Sequence, residues 1–290
     1  MPELPEVEHV KRGLSPKIIG ELITGVTFSE KVTIGKSAGK QTIIKGTDLE
    51  TFQRNITGST IKALDRRSKY LIFTLENELQ EHFIISHLGM SGAYFVVDQL
   101  EDIGVPNYIN HWHVTIHLQS GRLLVYSDIR RFGELRYIER LEDAAQIMAI
   151  APEPFDDGAS DYYLTQLKSS RWQEKTIKEA IMNHSVVSGC GNIYACEALH
   201  LAKINPNRKV KRVTKSKRIE LFQAIVHVLN EGIKYGGSSI SSYRNVEGKE
   251  GYMQTRFKIY GRKTCGTCGG PVTAKVIATR NTHYCTHCQK

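Results

Sequence analysis

The chain has no apolar run of about eighteen residues, so no segment is expected to span a bilayer. It also lacks a secretory signal: Met1-Pro2-Glu3-Leu4-Pro5-Glu6 places two acids within six residues and offers no apolar stretch. A cytoplasmic protein is expected on that ground. No internal repeat or low-complexity tract occurs. With 40% hydrophobic and 24% charged residues, disordered and collagen-like classes are excluded. Acid is scarce in one region: residues 201–290 hold 18 Lys/Arg against 4 Asp/Glu, a balance of +14. Residues 1–200 hold 21 against 26, so the overall +9 conceals a strong asymmetry. A basic final third is the electrostatic footprint of a polyanion-binding half, although a solvated lysine-rich surface carries the same sign.

At 290 residues the chain can bury two modest cores. Leu4, Val7, Val10 and Leu14 fall at helical spacing between charged residues, which predicts an amphipathic helix from Pro2 to about Gly20. Short β-rich runs follow at Leu22–Phe28, Tyr70–Leu75, His82–His87, Ala93–Val97, Trp112–Leu118, Leu123–Ser127 and Leu135–Ile138. Such runs with frequent turns suggest a sandwich or barrel. Near residue 140 the character changes to an acidic, proline-marked linker. Helical patterns then appear at Ser160–Leu167, Glu174–His184, Asn192–Lys203 and about Ser216–Tyr235. The expected class is α+β. An N-terminal β-sandwich with flanking helices (1–140) leads through a linker (141–158) to a helical domain (159–257) and a terminal hairpin (258–290).

Four of the six cysteines are spaced Cys265-x2-Cys268 and Cys285-x2-Cys288, sixteen residues apart. This is the pattern of a four-thiolate zinc ribbon, in which each CxxC turn points two sulfurs at one ion. Some 35 residues hold too little apolar surface to fold unaided, so the metal supplies the stability. Two disulfides would suit an oxidising compartment instead. Four thiolates leave no open position for water, so the zinc is structural, and with no His-x-Glu motif a zinc-dependent base deaminase is excluded. Cys190 and Cys196 read as packed thiols. Lys275, Arg280 and His283 between the knuckles could follow phosphates or simply form a solvated turn.

Removal of Met1 would expose Pro2 as a secondary amine with a pKa near 8, neutral often enough to attack an electrophilic sugar carbon. Glu3 and Glu6 could then move protons and stabilise positive charge. Proline and glutamate in a first helical turn are equally what capping and the helix dipole favour.

The string Met-Pro-Glu-Leu-Pro-Glu-Val-Glu at 1–8 resembles the start of the formamidopyrimidine-DNA glycosylase family. The resemblance continues at Arg-Arg-Ser-Lys-Tyr-Leu (66–71), His-Leu-Gly-Met-Ser-Gly (87–92), Asp-Ile-Arg-Arg-Phe-Gly (128–133), Gly-Asn-Ile-Tyr-Ala (191–195), Gly-Tyr-Met-Gln (251–254), Ile-Tyr-Gly-Arg (259–262) and the zinc ribbon. It spans residues 1 to 288 in the family's order.

The resemblance implies a bifunctional base-excision-repair enzyme that flips out and excises oxidised purines, 8-oxoguanine and formamidopyrimidines. It would use a Pro2 Schiff base and cut the strand by β,δ-elimination. Glu3 is then the essential proton-transfer residue and Glu6 a supporting carboxylate. Lys69 and Arg280 serve the phosphates around the lesion, and Arg130 faces the orphaned cytosine. Met90 and Phe132 wedge into the emptied stack. Taken alone, Lys69 at the entry to a strand is also an ordinary charge run, and Met90 and Phe132 also suit a core. Asn192 maps to a phosphate-contacting residue before a helix, where asparagine is a good N-cap and amides can bind phosphate. His111 joins the DNA-contacting set. The Gly/Ser-rich span 236–251 resembles a loop that closes over the flipped base, or is a plain connector. Partners are double-stranded DNA carrying an oxidised purine, with one structural zinc per chain, no membrane and a monomeric state, in the bacterial cytoplasm at the nucleoid.

Small departures fall at Ser188-Gly189-Cys190-Gly191, Ile129 and Ala151-Pro152-Glu153-Pro154. Two alternatives compete. A sister enzyme of the endonuclease VIII type prefers oxidised pyrimidines, but it begins with glycine at the position of Leu4 and lacks the Met90 and Phe132 motifs. A non-enzymatic damaged-DNA binder would not need Pro2, Glu3 and Lys69, and all three are present.

Overall fold

The computed structural model describes residues 2–239 and 246–290. These residues group into two compact units. One holds Pro2, Glu6–Met148 and Ser238–Gly251; the other holds Glu3–Pro5, Ala149–Gly237 and Tyr252–Lys290.

The first unit is a two-sheet sandwich. Strands β1 (Ile23–Phe28), β7 (Trp112–Leu118), β8 (Leu123–Asp128) and β6 (Gly92–Val97) form one sheet in the order β1-β7-β8-β6. The other runs β2-β9-β5-β4-β3, from β2 (Ile44–Lys45), β9 (Glu134–Ile138), β5 (Glu81–His87), β4 (Tyr70–Glu76) and β3 (Thr60–Arg67). Buried Phe73, Ile84 and Leu71 from the second sheet share a core with Val114, Ile116 and Tyr126 of the first. Val7, Val10, Leu14 and Ile18 of the Leu4–Ile18 helix join it, spaced to keep one helical face apolar. All seven strands read from the sequence are present. Strand β3 escaped because a bulge between Ile61 and Ala63 breaks its two-residue alternation. The helices Glu30–Ser37 and Leu49–Ile56 were also not anticipated; Asp48 caps the second by accepting from the Thr51 amide at 2.7 Å.

The second unit is helical, built on Ala159–Gln166, Ile177–Ile181, Asn192–Leu201 and Lys215–Lys234. Leu4, Tyr163, Ile181, Tyr194, Leu221 and Leu229 are buried in its core. The helix expected over Glu174–His184 is much shorter than its pattern. Thr176 caps its start by accepting from the Glu179 amide, while Glu174 turns out to Lys209 and Lys211. At the far end the Asn183 side chain accepts from the Ser185 amide, which turns the chain. Strands β10 (Thr273–Ile277) and β11 (Arg280–Tyr284) form the C-terminal hairpin.

Of the 236–251 span, expected within the helical domain, residues 236–237 fall in the helical unit, while Ser238, Ser239 and residues 246–251 fall in the sandwich unit. Glu6 accepts from the Ser238 amide at 2.6 Å, and Val246 is buried in the sandwich core against Gly13. Residues 240–245 lie outside the described residues, and with them the central part of the expected lesion loop.

In the sandwich unit Glu8 bonds Arg66 Nε at 2.8 Å and Arg12 Nε at 2.7 Å. Burial opposes the Glu8 charge, but the two guanidiniums outweigh it and hold the carboxyl below its usual range. A depressed carboxylate stabilises the fold above its unfolded pKa of about 4.5 and loses that contribution as pH falls through the folded value. Glu8→Gln is therefore expected to cost about 1–2 kcal/mol at pH 7. It should also flatten the decline in melting temperature on acidification below about pH 5, as followed by circular dichroism.

Candidate active site

The second unit contains Glu3, 2% exposed, at the N-terminus of the Asn192–Leu201 helix. Helix starts leave unbonded amides, and here the N-cap residue is Gly191, which has no side chain to satisfy them. The Glu3 carboxylate does so instead. Its Oε2 accepts from Gly191 N at 2.7 Å and Tyr194 N at 3.4 Å, and its Oε1 from Ile193 N at 2.9 Å. A Cβ at Gly191 would lie 2.3 Å from the Glu3 carboxyl carbon, so only glycine admits this approach. Leu4 N donates to Gly189 O at 3.2 Å, which anchors the same segment.

The expectation for Asn192 as N-cap is corrected. Asn192 is the first helical residue, and the neighbouring amides are occupied by Glu3. Its side chain instead donates to Asn281 O at 2.9 Å and accepts from Lys178 Nζ at 2.5 Å. Lys178 is fully buried and also donates to Thr282 Oγ1 at 2.6 Å. Burial pulls its ammonium below the usual lysine range, while Glu3 acts in the opposite direction. Sequence reading missed Lys178, because a lysine in a short helical segment reads as surface.

Arg280 is exposed at the start of β11, immediately after a two-residue turn of Ala278 (φ 50°) and Thr279 (φ 61°). Both turn residues occupy left-handed backbone that favours Asn-Gly, and for a β-branched threonine this is strained. Asn281 and Thr282, which receive Asn192 and Lys178, come next in the same strand. Glu3, Asn192, Lys178 and the Arg280 hairpin thus form one connected cluster.

In the sandwich unit, Met90 is half-buried in the β5–β6 turn, and Arg130 and Phe132 lie on the loop after β8. Phe132 is 60% exposed, with the Arg130 guanidinium 5.1 Å from its ring centre. Asp128, fully buried, organises the loop: it accepts from Arg130 N at 3.1 Å, Gly133 N at 2.8 Å and Ser91 Oγ at 2.6 Å. A Cβ on Gly89 would sit 2.4 Å from Gly133 N, so the two turns are in close contact. Asp128 and Ser91 were inside recognised motifs yet received no role. His111 is half-buried, its Nδ1 donating to Asn107 O at 2.7 Å, and its carbonyl accepts from Asp128 N at 2.9 Å.

Lys69 occupies the β3–β4 turn beside Ser68, whose φ of 57° is again left-handed. Burial first, and then the Lys69 charge, push His87 down to about 4, so its Nδ1 accepts from Gly89 N at 3.1 Å as a neutral imidazole. Glu6 is 1% exposed and bound to Ser238, and Pro2 is buried.

Cys265, Cys268, Cys285 and Cys288 bring their sulfurs within 4.8 Å of one another, with Cys265–Cys288 at 3.9 Å and Cys268–Cys285 at 3.6 Å. Thiolates about 2.3 Å from one zinc ion would stand about 3.8 Å apart, so the donor set fits a structural zinc. Glu197, on the Asn192–Leu201 helix, accepts from the amides of Lys258, Ile259 and Tyr260 at 2.7–3.0 Å and so fixes the segment entering the ribbon.

Family models match the whole arrangement in order: a formamidopyrimidine-DNA glycosylase N-terminal domain at residues 1–135, the H2TH domain at 150–244, and a zinc finger found in FPG and IleRS at 262–290. The chain belongs to the formamidopyrimidine-DNA glycosylase family. It is 37% identical to the formamidopyrimidine-DNA glycosylase of Halalkalibacterium halodurans and 36% identical to that of Teredinibacter turnerae, over the full length of each chain. Among solved structures it resembles a Lactococcus lactis Fpg mutant in complex with Fapy-dG-containing DNA (TM-score 0.85, 32% identity, all of both chains covered). The wild-type Lactococcus lactis protein bound to oxidised-pyrimidine-containing DNA is similarly close (TM-score 0.84, 32% identity, both chains fully covered). As a family member it is a DNA glycosylase of base excision repair with one structural zinc. No helix among the described residues is long and apolar enough to cross a membrane.

Two consequences are measurable. Gly191→Ala forces Glu3 off the helix terminus and should cost about 1–3 kcal/mol in urea unfolding. Removing zinc with a chelator should release one ion per chain and unfold the glycosylase's ribbon, seen as loss of amide protection confined to the region around residues 262–290.

Proposed function

We propose that this glycosylase excises oxidised purines, 8-oxoguanine and formamidopyrimidines, from duplex DNA, with the amine of Pro2 as nucleophile. Once Met1 is removed, the Pro2 nitrogen bonds to C1′ of the damaged nucleotide as the bond from C1′ to the base breaks. The Pro2 nitrogen gives up its proton, the C1′–O4′ bond then breaks with O4′ taking a proton, and the resulting iminium acidifies C2′. Loss of a C2′ proton expels the 3′ phosphate, and a second elimination expels the 5′ phosphate. Glu3 handles the protons and stabilises the cationic sugar, with Glu6 in support. Lys69, Asn192 and Arg280 hold phosphates, and His111 contacts DNA. Met90 and Phe132 fill the gap in the stack, and Arg130 meets the orphaned cytosine, its planar guanidinium offering several donors. The enzyme works as a monomer in the bacterial cytoplasm, at the nucleoid.

The observation that carries this reading is Glu3. A carboxylate accepting from three backbone amides is held rigidly one residue from Pro2, and such preorganisation suits a group that must meet charge as it develops. The exposed Phe132, stacked with Arg130 on a loop fixed by Asp128, supports the wedge. Eviction of a nucleotide costs a few kcal/mol, and an apolar side chain in the vacated space offsets part of it. A second reading, activity on oxidised pyrimidines, draws on the Lactococcus lactis relative crystallised with such DNA.

Single-turnover base release should be fastest on duplexes with 8-oxoguanine or a formamidopyrimidine opposite cytosine, leaving phosphate at both ends of the gap. Faster release of an oxidised pyrimidine would favour the second reading, and release of neither base would contradict both. Phe132→Ala is expected to slow release about tenfold or more from a paired lesion, the equivalent of roughly 1.4 kcal/mol.

A further inference from the structure

Beside the wedge loop the sandwich unit contains a cavity of about 320 Å³, lined by Arg130 and Phe132 together with Lys31, Lys40 and Arg131, to which no role has been given. Its walls come from the Glu30–Ser37 helix, the segment 40–43 and the loop carrying Arg130 and Arg131. Four cations line it: Lys31, Lys40, Arg130 and Arg131. No carboxylate lines it, and none of the four is in an ion pair among the described residues. Lys31 makes only a 3.3 Å bond to Asn110 O, and Arg130 a stacking contact with Phe132. Thr42 Oγ1, on the same wall, is buried without a hydrogen-bond partner. His113 forms a neutral part of the wall. Burial lowers its pKa first, and Arg131 and Lys31 add to the effect while Asp128 opposes it.

Four like charges around one concavity repel one another, and no carboxylate lines the concavity to offset that repulsion. An anion would, and a phosphate group also brings acceptors for the lysines and guanidiniums. We propose that this cavity seats a backbone phosphodiester of the undamaged DNA strand, gripped by Lys31 and Lys40 together with Arg131. The choice of strand rests on the functional reading above, in which Arg130 faces the orphaned base. Arg130 lines this cavity too, so on that reading a phosphate seated in it belongs to the strand bearing that base. The Glu30–Ser37 helix, which buries only Val32, gains a role as a clamp, with the segment after it anchored to the sandwich core by Ile43 and Ile44.

The test is the salt dependence of duplex binding, measured by fluorescence anisotropy with Lys31→Gln/Lys40→Gln and with the charge-preserving Lys31→Arg/Lys40→Arg. Both lysines are exposed, so either pair of substitutions should fold. Each neutralised phosphate contributes about 0.9 to the slope of log K against log salt. The glutamine pair should therefore lower the slope by about 1 and weaken binding about tenfold at low salt, while the arginine pair restores both. Methylphosphonate linkages, uncharged, are then placed singly in the undamaged strand. One position should remove the difference between wild type and the glutamine pair. An unchanged slope, or a difference that persists at every undamaged-strand position, overturns the clamp. Competition by inorganic pyrophosphate alone, with no dependence on the linkage, would assign the site to free phosphates and also overturn it. Base release by wild type on the same duplex is measured alongside. Release with an unchanged slope defeats the clamp only, whereas absent release defeats the functional reading while the slopes still report on the clamp.

Discussion

The residue on which the site depends is Glu3, because its carboxylate serves as the N-cap that Gly191 cannot supply. A charge-assisted bond to a backbone amide contributes about 1.5–3 kcal/mol, and Glu3 makes three such contacts. The helix gains its missing acceptors, and the carboxylate gains the positive end of a helix dipole in place of water. Each side of the exchange has few substitutes. Aspartate would be too short to reach the same amides, and any side chain at position 191 would occupy the carboxylate's space. The third residue of the chain is thereby fixed by a helix that begins at Asn192.

The same device recurs. Glu6 binds the amide and hydroxyl of Ser238, Asp128 holds the amides of Arg130 and Gly133, and Glu197 takes those of residues 258–260. Each is a buried acid that accepts from backbone amides of a loop. Backbone amides cannot swing away as lysines can, so loops held in this manner have one geometry. Exposed Arg130 stands on the loop held by Asp128, and exposed Arg280 on a hairpin tied to Asn192 and Lys178. Fixed acids inside and unpaired bases outside suit a protein that must present charge to phosphate without losing the shape of its site.

Much of this was legible in the sequence. Short β-rich runs between turn residues, several of them alternating, located seven strands, and the zinc ligands were legible because CxxC spacing encodes their geometry. Strand β3 was not, since its bulge shifts the dry face midway. The Ile177–Ile181 helix looked longer than it is, because Asn183 ends it through a side-chain bond that periodicity does not register. Motif resemblance singled out Glu3 and Asn192 but not their relationship. The expectation of open amides before the helix failed because their occupant lies at the other end of the sequence. Lys178 was illegible for a related reason: a buried charge is recognisable only by its partners, and Asn192 and Thr282 are remote in sequence.

The central claim is that the Pro2 amine, working beside a Glu3 carboxylate fixed on the helix, forms a covalent bond to the damaged nucleotide. Borohydride reduction during reaction with an 8-oxoguanine duplex, followed by peptide mass mapping, tests it most directly. The account predicts an adduct on residue 2 of the processed chain, lost in Pro2→Gly and strongly reduced in Glu3→Gln. An adduct on a lysine such as Lys69 or Lys178, or none from zinc-loaded protein lacking Met1, would contradict it.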